Sequence, residues 1–264
     1  MKYAVLGYST INIGDDIQSL VTSTLLDIDY IIMRDDYEKV YDIEGNTVEL
    51  NETVKLIMNG WFMHDPNWES GNNNIKFPIK NEKIIPIYIS TCLSKDVKLL
   101  FSEKCIENYK KFQPVLCRDN TTLSILQKKG VDVEFFGCLT QLLEDKNIPE
   151  NKKYEEIYKD SVIYIDCKKE YSKRKKNEKN FFFRHYINEI VHMNPRKRID
   201  YAKDLLSKYK YAKKIYSSRL HAFLPCRAMG LNVVYTGDIN YRVKDLVSQK
   251  PDRDKMKKIF YDFV

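Results

Sequence analysis

KKIYSSRLHAFLPCRAMGLNVVYTG, from Lys213 to Gly237, decides the fold class. KKIYSS is a short run of β-formers. RLHAFLPCRAM has helical spacing and closes on Gly230, and LNVVYTG is apolar and β-branched again. Strand, helix and strand in so short a span leave only a crossover between parallel strands.

The same grammar recurs on either side. KYAVLGY opens the chain as a strand, STINIGDD turns, and IQSLVTSTLL has helical spacing. VKLIMNGWF and KIIPIYIST read as two further buried strands. QPVLC is a strand ending at Cys117, and RDNTTLSILQKKG a helix that Asp119 or Asn120 can cap and Gly130 can close. VDVEFFG follows as a strand. A polar stretch from about Glu144 to Lys159, holding Pro149, reads as a linker. After it SVIYIDC is a strand and RIDYAKDLLSKYKYA a helix. The expectation is an α/β protein with mostly parallel sheets, one unit over residues 1–145 and a second over 160–264. Such sheets bind ligands beyond the carboxyl ends of their strands.

At 264 residues, with 43% hydrophobic and 31% charged, the chain can bury a large core and is not a disordered polymer. Its net charge of +7 suits an anionic partner. Much of the lysine lies in KKEYSKRKKNEK, Lys168 to Lys179, which reads as a solvated loop because no nucleic-acid module accompanies it. The six cysteines form no CxxC pair and have no histidine at zinc spacing, so neither a structural zinc nor any other metal is expected. Five lie in or beside apolar runs, as in a reduced, cytoplasmic chain. MKYAVLGYST is too short and interrupted for a signal peptide, and no segment approaches a membrane span.

Three strand ends carry the chemistry: GYSTINIGDD, LCRDNTT and YSSRLH. Each puts polar residues where a helix N-terminus offers free N–H groups and partial positive charge. In the last, Ser217 or Ser218 can cap, leaving Arg219 in the first turn and His221 two residues on. The helix dipole favours acids at that end, not Arg and His. Either they face an anion, Arg219 as a planar fork and His221 as donor or general acid, or they are surface residues of a first turn. Arg118 and the acids Asp15 and Asp16 stand beside the same alternatives of capping and turn formation. Gly14 permits close backbone approach.

These segments, in this order, resemble the polysaccharide pyruvyl transferase family. Asn12, Gly14, Asp15, Asp16 and Gln18 match its Asn-x-Gly-Asp-Asp element, and NGWF (Asn59 to Phe62) a segment of one branch. CRDNTTLSILQKKGVDVEFFGCLTQLL matches an Arg-Asp helix and a Gly-Cys-Leu-Thr turn, SRLHAFLPCRAMGLNVVY the Arg-Leu-His signature, and NYRVKDL a closing stretch. The resemblance implies two Rossmann-like domains facing a cleft, similar to GT-B glycosyltransferases. It also implies transfer of the pyruvyl skeleton of phosphoenolpyruvate to two hydroxyls of a sugar or glycan as a ketal, with no cofactor.

On that resemblance Arg219, Leu220 through its backbone, His221 and Arg118 hold phosphoenolpyruvate. For that chemistry His221 can supply a proton or assist phosphate departure, and Asp15 or Asp16 can accept one from the sugar hydroxyl. Asn12, Gly14, Asn59, Trp61 and His64 are acceptor-side candidates. His185 reads as structural or exposed, His192 as a structural hydrogen bonder, and Trp61, Phe62 and Trp68 as stacking or core residues. The alternatives are a GT-B-type glycosyltransferase using a nucleotide sugar and a catalytically silent glycan-binding protein. The acceptor sugar and the oligomeric state are not legible.

Overall fold

A computed structural model describes residues 1–63, 77–248 and 250–264. His64 and Trp68 lie outside them. In the N-terminal half, β1 (Lys2–Gly7) leads into α1 (Ile13–Leu25), β2 (Tyr30–Met33), β3 (Asp36–Asp42) and β4 (Thr47–Val48). There follow β5 (Val54–Ile57), β6 (Trp61–Phe62), β7 (Ile84–Ile87), β8 (Ile89–Leu93), α2 (Glu103–Lys111), β9 (Val115–Cys117), α3 (Asn120–Lys128) and β10 (Val133–Phe135). The C-terminal half holds α4 (Lys152–Tyr158), β11 (Val162–Ile165), α5 (Lys168–Ser172), β12 (Asn180–Phe183), α6 (Pro195–Tyr209) and β13 (Lys214–Ser217). It ends with α7 (Leu220–Ala228), β14 (Val233–Tyr235), α8 (Lys244–Val247) and α9 (Arg253–Phe263).

Among the described residues the sheet orders are β4-β3-β2-β1-β5-β7, β10-β9-β8-β6 and β12-β11-β13-β14. The last is parallel throughout, and in the first only the pairings of β3, with β2 and with β4, are antiparallel. The fold is mixed α/β with parallel sheets. The runs read as single strands at 54–62 and 83–91 each break in two. Bonding continues across the breaks, with Met58 N–H donating to Ile87 O at 2.8 Å and Cys92 N–H to Gly60 O at 3.0 Å. Within β8 the register against β9 shifts at Ser90, whose φ of 55° is left-handed and whose Oγ accepts from Leu139 N–H.

The stretch read as a linker is folded. Asn151 caps α4, and Tyr154 on α4 donates to Asp204 on α6. The polarity of 144–159 thus marks a surface helix. Helix α9 returns to the N-terminal sheet, where Met256 and Phe260 pack with Ile57, Ile89 and Leu116.

Helix α1 positions everything that follows. Ten consecutive residues, Ile13 to Thr22, are buried, because the helix has a sheet on one side and α6 and α7 on the other. Its Ile13, Ile17, Leu20 and Val21 share a core with Val5 and Ile31 of the first sheet and with Ile163, Ile165 and Ala222 of the C-terminal half. A helix buried all round must satisfy or use every polar side chain it carries. Among the described residues no helix is long and apolar enough to cross a membrane.

Candidate functional site

The N-termini of α1, α3 and α7 converge on a cavity of about 230 Å³. Asn12, Gly14 and Asp15 come from the first, Arg118 from the second, and Arg219, Leu220 and His221 from the third. Trp61, Tyr186 and Arg242 complete the wall.

Arg118 is 1% exposed. One terminal nitrogen donates to Gln18 Oε1 at 3.1 Å and lies 3.4 Å from His221 Nε2, while its Nε has no partner. The neighbouring Asp119 is committed to capping α3, accepting from Thr122 N–H at 2.9 Å and Thr122 Oγ1–H at 2.8 Å. Arg118 makes no direct carboxylate ion pair among the described residues, and Asp119 and Asp15 act on its charge only from further off. A bound anion would supply a direct partner.

Neither serine caps α7. Arg219 itself occupies the cap position, with no side-chain capping bond. Ser217 Oγ accepts from Arg219 N–H at 3.0 Å, and Ser218 Oγ donates to Asp166 O at 3.1 Å. The first turn is therefore open to a ligand, as the anion-site reading requires. Pro225 inside the helix cannot donate to His221 O, which loosens the same turn. Arg219 donates through Nε to Asp166 Oδ2 at 2.6 Å and stacks over Tyr186 at 3.9 Å. Its terminal nitrogens have no hydrogen bond among the described residues.

Burial, with Arg118 and Arg242 nearby, holds the His221 imidazole well below its ordinary pKa. That shift favours the neutral ring, and a dianionic ligand would raise its proton affinity. Gly14 acts on this ring: a Cβ there would stand 3.2 Å from His221 Cβ. The close approach expected of Gly14 is thus to the facing helix.

The two adjacent acids part company. Asp15 lines the cavity, accepting from Thr10 Oγ1–H at 3.1 Å and Gln18 Nε2–H at 3.4 Å, and burial pushes its carboxyl upward. Asp16 faces away and takes a bidentate bond from Arg198, at 2.9 Å from Nε and 2.8 Å from Nη2. Asp16 is structural as placed. Asn12 caps α1, accepting from Gly14 N–H at 3.1 Å. Asn59 does not reach the cavity; its amide donates to Gln18 O and Thr22 Oγ1 inside the core. Phe62 is core, and His192 is exposed.

Arg242, Tyr186, Asp238 and Asn240 are additions to the sequence reading. Arg242 stacks over the Trp61 ring at 3.8 Å and makes no ion pair among the described residues. Its only sequence signal is its place in NYRVKDL, which carries the resemblance without a chemical role. No group of three His, Cys, Asp or Glu side chains among the described residues is placed to hold a metal.

His185 is fully buried, with Nε2 3.0 Å from Tyr209 Oη and burial lowering its pKa to about 4. Asp166 and Arg219 act on it in opposite directions. Above pH 6.5 the ring is neutral whether folded or unfolded. Below it the unfolded chain takes up a proton that the folded chain refuses, so stability falls with pH until about 4. At pH 5 this should remove about 2 kcal/mol. Urea midpoints at pH 7.5 and 5.0 should therefore differ less in His185→Asn than in wild type. Equal differences would show that His185 titrates normally.

Fold and cavity define an α/β protein in which helix N-termini and one neighbouring loop gather three arginines and a histidine beyond the carboxyl ends of parallel strands. The chain belongs to the polysaccharide pyruvyl transferase family, whose model matches residues 12–237. No curated protein matches it by sequence. The crystal structure of a Klebsiella pneumoniae protein, described as functionally uncharacterized, superposes with a TM-score of 0.52 at 16% identity. The match covers 99% of this chain and 90% of that one, and the likeness is one of fold.

Proposed function

We propose that the chain transfers the pyruvyl group of phosphoenolpyruvate to two hydroxyls of a sugar acceptor as a cyclic ketal, releasing phosphate. The observation that carries this reading is Arg118, a buried cation with no direct carboxylate ion pair among the described residues, facing His221 at an uncapped helix start. Phosphoenolpyruvate brings a carboxylate and a phosphate. Arg118, Arg219 and Arg242 offer guanidiniums for both, and the Leu220 and His221 amides add donors. On this reading the halves are Rossmann-like and GT-B-like. Residues 160–264 supply most donor contacts, and Asp15 and Trp61 of residues 1–145 face the acceptor.

The bound anion raises the proton affinity of His221, which then protonates the methylene carbon of phosphoenolpyruvate. The neighbouring carbon becomes an oxocarbenium-like centre. A sugar hydroxyl attacks it, forming the first C–O bond, and Asp15 takes the hydroxyl proton. The bond to phosphate then breaks, phosphate leaves with the electron pair, and the second hydroxyl closes the ketal as its proton passes to His221, left neutral by the first transfer. The arginines screen the negative charge throughout.

Melting with saturating phosphoenolpyruvate tests the donor. Wild type should be stabilised. Arg219→Ala should bind the donor at least about tenfold more weakly. His221→Ala should bind it and lose about 10²–10⁴-fold in phosphate release with an acceptor. Stabilisation by sugar nucleotides and not by phosphoenolpyruvate would favour the glycosyltransferase reading instead.

A further inference from the structure

A second cavity, of about 570 Å³, opens beside the first and shares Tyr186, Ser218 and Arg219 with it. It lies at the carboxyl ends of the C-terminal parallel strands, where ligands of such sheets bind. Lys168 and Lys169 follow β11, Arg184 follows β12, and Ser218 and Arg219 follow β13. Asp166, in the left-handed region at φ 53°, turns the chain after β11, and its carboxylate accepts from both His185 N–H and Arg219 Nε.

That pair leaves Lys168, Lys169 and Arg184, all exposed and without ion pairs among the described residues, against one wall carboxylate, Glu170. Three cations from two strand ends surround a space of ordinary ligand size, roughly 300–1,000 Å³. Two of them are lysines, point charges that suit a phosphate approached from several sides. Tyr186, 49% exposed, stands at the mouth between the cavities. An occupant here would sit against the donor.

We infer that this basic shelf binds a phosphate group carried by the acceptor, so that the acceptor is a phosphorylated sugar or glycan. The inference rests on the proposed pyruvyl transfer for the word acceptor. The shelf itself is independent of it. Lys168 and Lys169 thereby gain a role apart from the exposed turn that follows them.

Calorimetry with glucose, galactose and N-acetylglucosamine, each beside its 1-phosphate and 6-phosphate, tests the shelf with and without phosphoenolpyruvate. At least one phosphate should bind about tenfold or more tightly than its parent sugar, one charge-assisted contact's worth. The triple variant Lys168→Gln, Lys169→Gln, Arg184→Gln should lose that preference and bind phosphoenolpyruvate within about threefold of wild type. No preference in the panel, or one that survives neutralisation and so resides in the donor cavity, overturns the inference. Phosphate preference at the shelf without any affinity for phosphoenolpyruvate would keep the shelf and sink the donor reading.

Discussion

Arg118→Met should weaken phosphoenolpyruvate binding by about 100-fold or more while leaving the melting temperature unchanged or higher. The two effects share one cause. Arg118 is 1% exposed, makes neutral contacts to Gln18 and His221, and has an unpartnered Nε. Burying it without a direct ion pair opposes folding, and Asp119 and Asp15 offset part of that cost through charge. A buried apolar side chain of similar length removes the penalty. The lost Gln18 contact offsets part of the gain, about 1 kcal/mol. The donor loses charge-assisted bonds of roughly 1.5–3 kcal/mol each. The His221 ring supplies a second readout: Arg118 helps hold its pKa down, so the variant's ring should titrate higher by NMR. A large drop in melting temperature with donor binding intact would make Arg118 a structural residue.

Much of this site was legible because strand ends and helix starts write themselves in short motifs. SRLH marks the turn after β13, and CRDNTT the turn after β9, since parallel sheets place their ligands there. Which of those turns meet was beyond the sequence. Arg118 and His221 are 103 positions apart and stand 3.4 Å apart only because α1 packs against both halves. Arg242 is invisible for a related reason. It sits in a loop, and its place follows from stacking on Trp61.

The strands broken at 58–60 and at 88 have continuous apolar patterns, and period alone reveals neither the breaks nor the register shift at a left-handed Ser90. The α4 segment failed in the other direction. A short helix that covers α6 with tyrosines has little apolar periodicity, so polarity read as a linker.

Asp16→Asn should lower stability by about 3–5 kcal/mol, which in a chain of this size is a melting-temperature loss of roughly 6–20 °C. Asp15→Asn should cost the fold less and remove turnover, because the buried Arg34 that lies 3.9 Å from Asp15 keeps Asp35 as a partner at 3.0 Å. Adjacent acids in one motif invite a shared chemical role, and the helix denies it: neighbours lie about 100° apart around the axis. One carboxylate is turned to the cavity and the other to Arg198, which is 0% exposed and bonded to Asp16 through two nitrogens.

Removing the Asp16 charge leaves Arg198 buried and uncompensated, whereas Asp16→Leu with Arg198→Met removes both charges and should recover at least about half of the loss. Recovery would show that Asp16 serves the joint between α1 and α6. An Asp16→Asn protein that melts like wild type yet fails to turn over would instead return Asp16 to the chemistry. The joint matters to function in either case, because α1 carries Gly14 and Asp15 into the cavity and α6 holds α1 in place.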